Sequence, residues 1–559
     1  MEGPEIVALF FVLISITLVI IFCYYFGVFH LPIYAYILII INASIPVVMV
    51  SGLLPLDISL CLFGSTPKKS KGLKTIFEVL YWASFLLTWV LVPVVVSWLR
   101  YSHTISAGTR IRLIIRENVI FYGVAVAVIV IALIIVFCSK EDFTFADIPS
   151  LGISLTTAYG LLLLCLLNGY SLIEYPRRLW KFSNARYYYL YNLSKISIEA
   201  EIYGKAINEG LSLDHILQTV RDDFSINERR ENIFKEHGLP RQQDLNDQTS
   251  KISILEECYT EAPDPKKKKT KRMKKLEGIT WKECDDKDFE DLFSLVDDTV
   301  INIKDSYASL QYAGHEAAQA LETYNKLKNE KKRAKIKTIL MKISAICIAI
   351  INAICVWSEI CLMFNNKLSL FYIISHAKVN PTIAELFITG PIVGYLLFVG
   401  GWGLINLRIS SFYRFIPNRT SANTLNYWAI LISRLGPTIG FHYLKQIGAE
   451  GSKLVEVMGK MEKVVFIGDK WNIFSPILLI IVLIIVGFEI IQKIRINLCS
   501  NYRQMSEMDI QMLRKGEAIL KKLQPDSEKL LNDNWSYLNV KSLTEEQEGP
   551  FNAILNDEV

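Results

Sequence analysis

Long apolar runs restrict what this chain can fold into more than any other feature of its sequence. A helix of about 20 residues crosses the ~30 Å hydrocarbon core of a lipid bilayer. Nine runs reach that length, at residues 6–26, 33–54, 76–99, 118–138, 151–172, 339–364, 382–407, 425–444 and 473–494. Hydrophobic residues make up 52% of the 559 residues, which is typical of a membrane protein and not of several soluble domains. The sequence therefore predicts an all-α integral membrane protein with nine transmembrane helices.

Polar sequence separates the fifth predicted span from the sixth and carries a helical pattern of its own. Apolar residues follow steps of three and four in two stretches, which are Leu193, Ile196, Ala200, Tyr203, Ile207 and Leu211, and then Val296, Val300, Ile303, Tyr307, Leu310, Ala317, Leu321 and Tyr324. Helices with such stripes bury them against each other. We therefore predict an antiparallel coiled-coil hairpin in this insert.

A basic segment, residues 262–278, lies between the two stripes. The charges at its centre are Lys266, Lys267, Lys268, Lys269, Lys271 and Arg272. Such a segment is typical of a solvated, disordered tip. It also suits contact with the anionic head groups of lipids. The sequence leaves both interpretations open.

The distribution of basic residues predicts how the chain is oriented in the membrane. The expected parts are spans one to five (residues 1–173), the insert (174–337), spans six to nine (338–497) and a C-terminal tail (498–559). Lysine and arginine are enriched in cytosolic loops. With the N-terminus outside, most basic loop residues fall inside and the insert and tail are cytosolic; the exceptions are Lys68, Lys69, Lys71 and Lys74, and the scattered lysines between Lys453 and Lys470. The first span lacks a basic leader and a cleavage site, so we expect it to be retained.

A single arginine, Arg434, stands near the middle of the eighth predicted span. A lone arginine at that depth costs ~2.5–3.5 kcal/mol on insertion scales, so it should face protein or water and have a partner. The possible counter-charges are Asp57, Glu359 and Glu385. The residues that allow a kink beside it are Gly436, Pro437 and Gly440. Arg434 either ties neighbouring helices together or borders a cavity for a small or lipidic ligand.

Asp57 also has a purely structural interpretation. It follows Pro55 at the end of the second predicted span. A proline there can end one helix while an aspartate caps the next helical segment. Asp57 is therefore a candidate counter-charge or a candidate helix cap.

Signatures of catalysis and of bound cofactors are missing from the sequence. It contains no GxxxxGK[ST], GxGxxG, HExxH or GxSxG motif. The ten cysteines and seven histidines form no CxxC pair and no Cys/His cluster, so we predict neither a zinc site nor a disulfide framework. The net charge of +5 is small for this length and does not indicate nucleic-acid binding. We expect a protein that is not an enzyme and that uses no cofactor or metal.

Five sequence features, taken in order, resemble a known family. They are LPLDIS at residues 54–59, EYPRRLW at 174–180, the predicted coiled-coil insert, the eighth span with Arg434 and Pro437, and GKMEKVVFIGDKWNIFSPILLI at 459–480. Together they resemble the limb-region (LMBR-type) membrane proteins, and among these the second LMBR-domain-containing subgroup. The resemblance covers nearly all the spans and both flanks of the insert.

The resemblance implies a fold and two kinds of function. It implies nine spans with the N-terminus outside and the C-terminus in the cytosol, at the plasma membrane or an endolysosomal membrane. One expectation is a receptor or transport-associated protein with an intramembrane ligand cavity and a cytosolic coil for protein partners. The alternative is a non-transporting scaffold or regulator of G-protein-coupled receptor signalling or membrane trafficking. Family membership alone does not identify a ligand.

Overall fold

The computed structural model of the chain describes residues 3–27, 32–63, 67–100, 107–138, 148–224, 286–329, 332–376, 381–407, 414–458, 469–489 and 510–531. Regular structure in these residues is helical, apart from one isolated bridge between Gly27 and Thr420. The helices of the first part are α1 (Gly3–Phe26), α2 (Ile33–Val47), α3 (Leu54–Phe63), α4 (Pro67–Leu86), α5 (Val92–Arg100), α6 (Ala107–Cys138) and α7 (Ile148–Ser183). The later helices are α8 (Ala185–Phe224), α9 (Asp286–Lys328), α10 (Lys332–Phe364), α11 (Leu370–Ser375), α12 (Pro381–Asn406), α13 (Ala422–Gln446), α14 (Lys453–Met458), α15 (Asp469–Gly487) and α16 (Ile510–Leu531).

Six helical stretches among the described residues are long and apolar enough to cross a membrane. They are Ile6–Phe26, Ile33–Leu62, Gly72–Leu99, Gly152–Ser183, Lys332–Phe364 and Phe387–Asn406. These match predicted spans one, two, three, five, six and seven. The predicted fourth span lies in α6, where many side chains are outside the description, and the ninth overlaps a shorter apolar helix, Phe474–Gly487. The total of nine spans therefore stays a prediction.

The predicted eighth span is helix α13, which is distinguished by its burial. Twenty of its 25 residues are buried. A Cβ atom added at Gly436 would lie 2.6 Å from the Cβ of Pro46 in α2, and one at Gly160 in α7 would lie 2.1 Å from Oγ1 of Thr438. These glycines let the three helices approach closely. Because α13 is surrounded mainly by protein, it can carry polar residues. These polar residues lower its mean hydropathy, so it is not among the six apolar stretches.

A π-helical turn, Val48–Leu53, joins α2 to α3 without interrupting the helix. In an α-helix, the ring of Pro55 would clash with the carbonyl four residues earlier. The N–H of Leu54 instead bonds to the carbonyl of Met49, five residues back. The prediction that Pro55 ends the second span is therefore wrong, because the wider turn lets the helix continue to Phe63.

The same device occurs in the third span. A second π-helical turn, Leu87–Leu91, joins α4 to α5 and comes just before Pro93. Here the N–H of Val92 bonds to the carbonyl of Leu87, again five residues back. Two membrane helices thus pass a proline by widening one turn.

The chain divides into two compact units. The membrane unit comprises Met1–Leu99, Gly108–Arg178 and Ser344–Ile491, and the helical unit comprises Arg100–Ala107, Leu179–Ile343 and Gln492–Val559. Each unit has a hydrophobic cluster of its own. The candidate counter-charges and Arg434 all belong to the membrane unit.

Helices α8, α9 and α16 build the core of the helical unit. The buried side chains of this core are Tyr189, Leu193, Ile196, Ala200, Tyr203, Ala206 and Ile207 from α8, Ile303, Leu310, Ala313, Ala317, Ala320 and Leu321 from α9, and Leu513, Ile519 and Leu520 from α16. Most residues of the two predicted stripes are therefore packed together. The connection between α8 and α9, including the basic segment 262–278, lies outside the described residues, so the coiled-coil hairpin stays a prediction.

Candidate functional site

Arg434 lies in the middle of α13 and is only 4% exposed. Its Nη2 donates a hydrogen bond to the backbone oxygen of Ser84 at 3.1 Å. The guanidinium carbon lies 5.6 Å from the ring centroid of Phe85 and 5.9 Å from that of Trp89. Aromatic rings at such distances attract a cation. Helix α4 and the π turn that follows it thus offset part of the cost of burying this charge.

Hydroxyl groups beside Arg434 join α13 to two other helices. Thr88 Oγ1 lies 2.8 Å from Ser433 Oγ, and it also lies 2.7 Å from the backbone oxygen of Ser84. The Oγ atoms of Ser84 and Ser433 are 2.7 Å apart. On the other side, Thr88 Oγ1 is 3.4 Å from Oδ1 of Asn42 in α2. This network ties α2, the α4 span and α13 together, as polar side chains do between membrane helices.

Nε of Arg434 and Nδ2 of Asn42 are both buried and have no hydrogen-bond partner among the described residues. Among the side chains that the structure describes, no carboxylate lies within ion-pair distance of Arg434. A buried polar group without a partner costs ~1–3 kcal/mol. Arg434 therefore offers a buried positive charge and an unpaired N–H donor to a hydrogen-bond acceptor.

Asp57 lies elsewhere in the membrane unit, where it caps a helix. Its carboxylate oxygens accept the backbone N–H groups of Lys453 and Leu454, both at 2.9 Å. These two residues begin α14, so the carboxylate satisfies N–H groups that have no partner within that helix. Asp57 is therefore a helix cap, although the helix it caps is α14 and not the segment that follows it in sequence.

A small charge cluster on the same helix contains Glu456. Its carboxylate is 2.8 Å from Nζ of Lys453 and 2.5 Å from Nζ of Lys74. These hydrogen bonds lower the pKa of Glu456 below its ordinary value. Lys74 belongs to the basic cluster that falls on the outer side in the predicted orientation. The Glu456 carboxylate offsets its charge.

Glu359 in α10 pairs with two residues near the end of α13. His442 Nε2 lies 2.6 Å from Glu359 Oε2, and Gln446 Nε2 donates to Glu359 Oε1 at 2.7 Å. All three residues are buried. Asp57 and Glu359 thus have partners of their own, and neither forms the ion pair with Arg434 that the sequence left open.

The other residues singled out from the sequence have simpler placements. Gly436 and Gly440 are close-contact points on α13, and a Cβ atom at Gly440 would lie 3.2 Å from Cδ2 of Leu454. Helix α13 runs without interruption through Pro437. The side chain of Glu385 and the basic segment 262–278 lie outside the description.

Sequence reasoning missed the partners of Arg434 and Glu359. The missed residues are Asn42, Ser84, Thr88, Ser433, His442 and Gln446. Each is a polar residue within or at the end of an apolar run, which is the signal that could have found them. Polar side chains are costly in lipid, so they face the interior of a bundle and find one another there.

Comparisons with known proteins give a consistent result. A family model described as LMBR1-like membrane protein matches residues 5–491. LMBR1 domain-containing protein 2 homolog A of Dictyostelium discoideum is 24% identical over 508 residues, which cover 86% of this chain and 65% of that protein. G-protein coupled receptor-associated protein LMBRD2 of Gallus gallus is 22% identical over 503 residues, and its Homo sapiens counterpart is 22% identical over 484 residues. Each of these two matches covers 81% of this chain and 69% of the relative. No solved structure matches the chain.

Proposed function

Because this chain belongs to the LMBR1-like membrane protein family, we propose that it is a multi-pass membrane protein that associates with G-protein-coupled receptors and regulates their signalling. The observation that carries this proposal is the name of two relatives, from Gallus gallus and Homo sapiens, whose matches cover 81% of this chain. Both names describe association with such receptors. The proposed role is that of a non-transporting regulator, and it assigns no reaction to the chain.

The helical unit suits the partner-binding part of this role. Its helices α8, α9 and α16 share a hydrophobic core, so their outer faces are free to carry charged side chains. An exposed ion pair between Lys205 and Glu201, at 2.5 Å, lies on α8. In this proposal the membrane unit is the anchor, and the outer faces of the helical unit are the surface offered to a receptor or to its cytosolic partners.

The proposed topology has nine spans, with the N-terminus outside and the helical unit in the cytosol, at the plasma membrane or an endolysosomal membrane. The bias of basic residues toward the inner loops supports it. It can be tested with Asn-X-Thr glycosylation acceptors, because only acceptors outside the cytosol are modified. An acceptor on an N-terminal extension should be glycosylated, and one within residues 262–278 should not. The reverse pattern would overturn the topology.

Deleting the insert tests the proposed function. A variant without residues 183–332 should still enter the membrane, as read from glycosylation of the N-terminal extension. We expect it to lose co-purification with a panel of co-expressed G-protein-coupled receptors and to lose its effect on receptor-evoked second messengers.

The matched control keeps the insert but replaces residues 262–278 by a Gly/Ser linker of equal length. This control should still co-purify with receptors if the helices bind them. It also tests the basic segment separately, because a loss of membrane recruitment by this change alone would favour its role in lipid contact. Receptor binding that survives the larger deletion would contradict the proposal.

A second candidate function is the binding of an anionic lipid or another small acidic ligand at Arg434. The observation that favours it is the set of free donors, Nε of Arg434 and Nδ2 of Asn42, beside a cation without a carboxylate partner among the described side chains. A phosphate or carboxylate group would accept a hydrogen bond from the Arg434 guanidinium and offset its charge. This would give the intramembrane ligand site that the sequence suggested.

Native mass spectrometry of the purified full-length protein tests this candidate. An anionic phospholipid should remain bound to the unmodified protein, bind more weakly to Arg434→Lys, and be lost from Arg434→Gln. The control is Arg419→Gln, which removes an arginine whose side chain is exposed. Equal lipid occupancy in Arg434→Gln and the unmodified protein would exclude the candidate.

A further inference from the structure

The carboxyl end of α13 holds a polar cluster that neither proposed function uses. It consists of Glu359, His442 and Gln446, which are 8%, 3% and 2% exposed. Each oxygen of the Glu359 carboxylate has one partner, with His442 Nε2 at 2.6 Å from one and Gln446 Nε2 at 2.7 Å from the other. The cluster links α10, a helix apolar enough to span the membrane, to the central helix α13.

The charge of this cluster depends on a single proton. An ionised Glu359 beside a neutral His442 leaves one net negative charge buried among apolar helices. Burying an unpaired charge is costly, whereas a pair of opposite charges that is also hydrogen-bonded is tolerated. A second proton on the imidazole would make the pair neutral overall.

Two further atoms of the cluster are buried and have no hydrogen-bond partner, Nδ1 of His442 and Oε1 of Gln446. When Nε2–H of the neutral imidazole faces Glu359, Nδ1 carries a lone pair. The amide of Gln446 uses its NH₂ group on the other carboxylate oxygen, so its Oε1 is an acceptor. The cluster then has two acceptors left over and no donor. A proton on Nδ1 turns this into one donor and one acceptor.

We propose that Glu359, His442 and Gln446 form a proton-binding site inside the membrane unit. In the binding step, a proton from the aqueous phase bonds to the lone pair of His442 Nδ1, while Nε2–H stays hydrogen-bonded to the Glu359 carboxylate. The net charge of the pair changes from minus one to zero. No other bond forms or breaks, and no electrons are transferred.

Further titratable groups around this site come from α7, α10 and α13. From α7 and α10, the thiols of Cys165 and Cys355 interact electrostatically with Glu359, and both are buried. The Sγ of Cys165 donates to the backbone oxygen of Ser475 at 3.1 Å. On α13, the Lys445 amine lies 5.7 Å from the ring centroid of Phe441.

The segment after α10 folds over the carboxyl end of α13 near this site. Ser369 Oγ donates to Ser358 Oγ at 3.0 Å, next to Glu359 in sequence. The rings of Phe371 and Tyr443 are 5.5 Å apart. Asn366 Nδ2 is 3.5 Å from the backbone oxygen of Lys445. Loss of the proton would thus leave an uncompensated negative charge close to the contacts that hold this segment against α13.

Proton binding therefore couples acidity to the packing of α10 against α13. The protonated pair stabilises the contact, and this stability is lost when the proton leaves. In the topology proposed above, α10 and α13 both end on the outer side, so the proton would come from the lumen or the exterior. That last point rests on the proposed topology, whereas the site itself depends on neither the topology nor the receptor association.

The direct test is nitrogen NMR of full-length protein in lipid nanodiscs, with ¹⁵N-labelled histidine. The signal of His442 is assigned as the one missing from His442→Gln. We expect both of its nitrogens to carry protons at the acid end of a pH series, and one of them to have lost its proton at the alkaline end. This measurement is made on the unmodified protein, so it does not depend on whether a variant folds. A His442 with only one protonated nitrogen over the whole range would overturn the proposal.

Thermal unfolding provides the second readout. The unfolding midpoint of the unmodified protein should rise on acidification by about 2–4 °C more than that of His442→Gln or Glu359→Gln. The matched control is His376→Gln, because His376 is exposed and its Nδ1 lies near the backbone oxygen of Tyr372. This control should keep the response of the unmodified protein.

The same assay separates a proton from a metal or ammonium ion. If Na⁺ or NH₄⁺ raised the midpoint at constant pH and acid did not, the site would bind a larger cation and the proposal would be overturned. An equal response to acid in His442→Gln and the unmodified protein would also overturn it.

Discussion

The membrane unit and the helical unit each bury an apolar core, but they differ in the side chains that they leave exposed. In the membrane unit, the enclosed helix α13 carries Arg434, His442 and Gln446, while Leu18 in α1 is 60% exposed. In the helical unit, Leu193 in α8 is fully buried and the ion pair of Lys205 with Glu201 lies at the surface. Both units are helical, and the solvent decides which residues face inward. Lipid favours apolar side chains outside, whereas water favours them inside.

Different sequence features therefore indicate the contact faces of helices in the two units. In the helical unit an apolar stripe marks the contact face of a helix. In the membrane unit apolar residues occur on all faces, so the informative residues are the small and polar ones, which lie between helices. The four changes below test this contrast, from the largest expected effect to the smallest.

Replacing a contact glycine by leucine should have the largest effect in both units. At Gly160 the new Cβ would lie 2.9 Å from the backbone oxygen of Arg434, and at Gly516 it would lie 2.2 Å from that of Leu193. Backbone atoms cannot rotate away, so we expect a loss of about 3 kcal/mol or more. Size-exclusion chromatography should show loss of folded protein for Gly160→Leu. Hydrogen exchange should show release of α16 for Gly516→Leu. Gly123→Leu is the control, since nothing lies within 4 Å of its Cβ.

Truncating a leucine should matter in the helical unit and not on the lipid-facing side of α1. Leu193→Ala removes a fully buried side chain from the core of α8, α9 and α16 and should cost ~2–5 kcal/mol. Leu18→Ala removes one that is 60% exposed in the membrane unit, and its cost should be much smaller. Hydrogen exchange of α8 amides and thermal unfolding of each variant measure the two effects. Equal losses would break the contrast between the units.

Replacing the central arginine by methionine should leave the membrane unit folded. Arg434 has no carboxylate partner among the described side chains. Arg434→Met therefore removes a buried positive charge and leaves no buried carboxylate without a partner. We expect a smaller loss than the ~3–5 kcal/mol typical of breaking a buried ion pair. The matched variant is Glu359→Met, which strands His442 and should be clearly less stable. Thermal unfolding in detergent compares the two variants, and a greater loss for Arg434→Met would show that the arginine is required for folding.

The smallest effect should come from the charge cluster on α14. The lowered pKa of Glu456 means that its ion pairs stabilise the fold above the ordinary pKa of glutamate, and that this stability is lost as the pH falls through the folded-state value. Glu456→Gln should therefore weaken the acid dependence of the unfolding midpoint. The side chain is 43% exposed, so solvent screening keeps the change small. Glu201→Gln, which removes a surface pair of the helical unit, is the matched control.

Much of the architecture could be predicted because it depends on local patterns. Six predicted spans match described helical stretches that are long and apolar enough to cross a membrane, and stripe residues such as Leu193 in α8 and Leu310 in α9 meet in one core. Run length and helical period are properties of neighbouring residues, so one sequence contains them. The resemblance to the second LMBR-domain subgroup is confirmed by the relatives that match.

The contacts of the candidate sites could not be predicted, because they join distant parts of the chain. Arg434 bonds to a residue 350 positions away, and the cap from Asp57 spans 396 positions. Such contacts depend on how each helix is rotated about its axis. The rotation is set by packing at residues such as Gly160 and Gly436, and hydropathy alone gives no measure of it.

The π turn at Val48–Leu53 has a consequence for how relatives should be aligned. It contains one residue more than an α-helical turn, so in evolutionary terms it is equivalent to a single insertion. An α-helix rotates by about 100° per residue, so losing that residue would swing all later side chains of the span by about this angle. Asp57 would then point away from the backbone groups that it caps in α14. A one-residue gap at this position in an alignment of relatives therefore indicates that a different face of the span points inward. Such a gap should be kept and not removed as an alignment error.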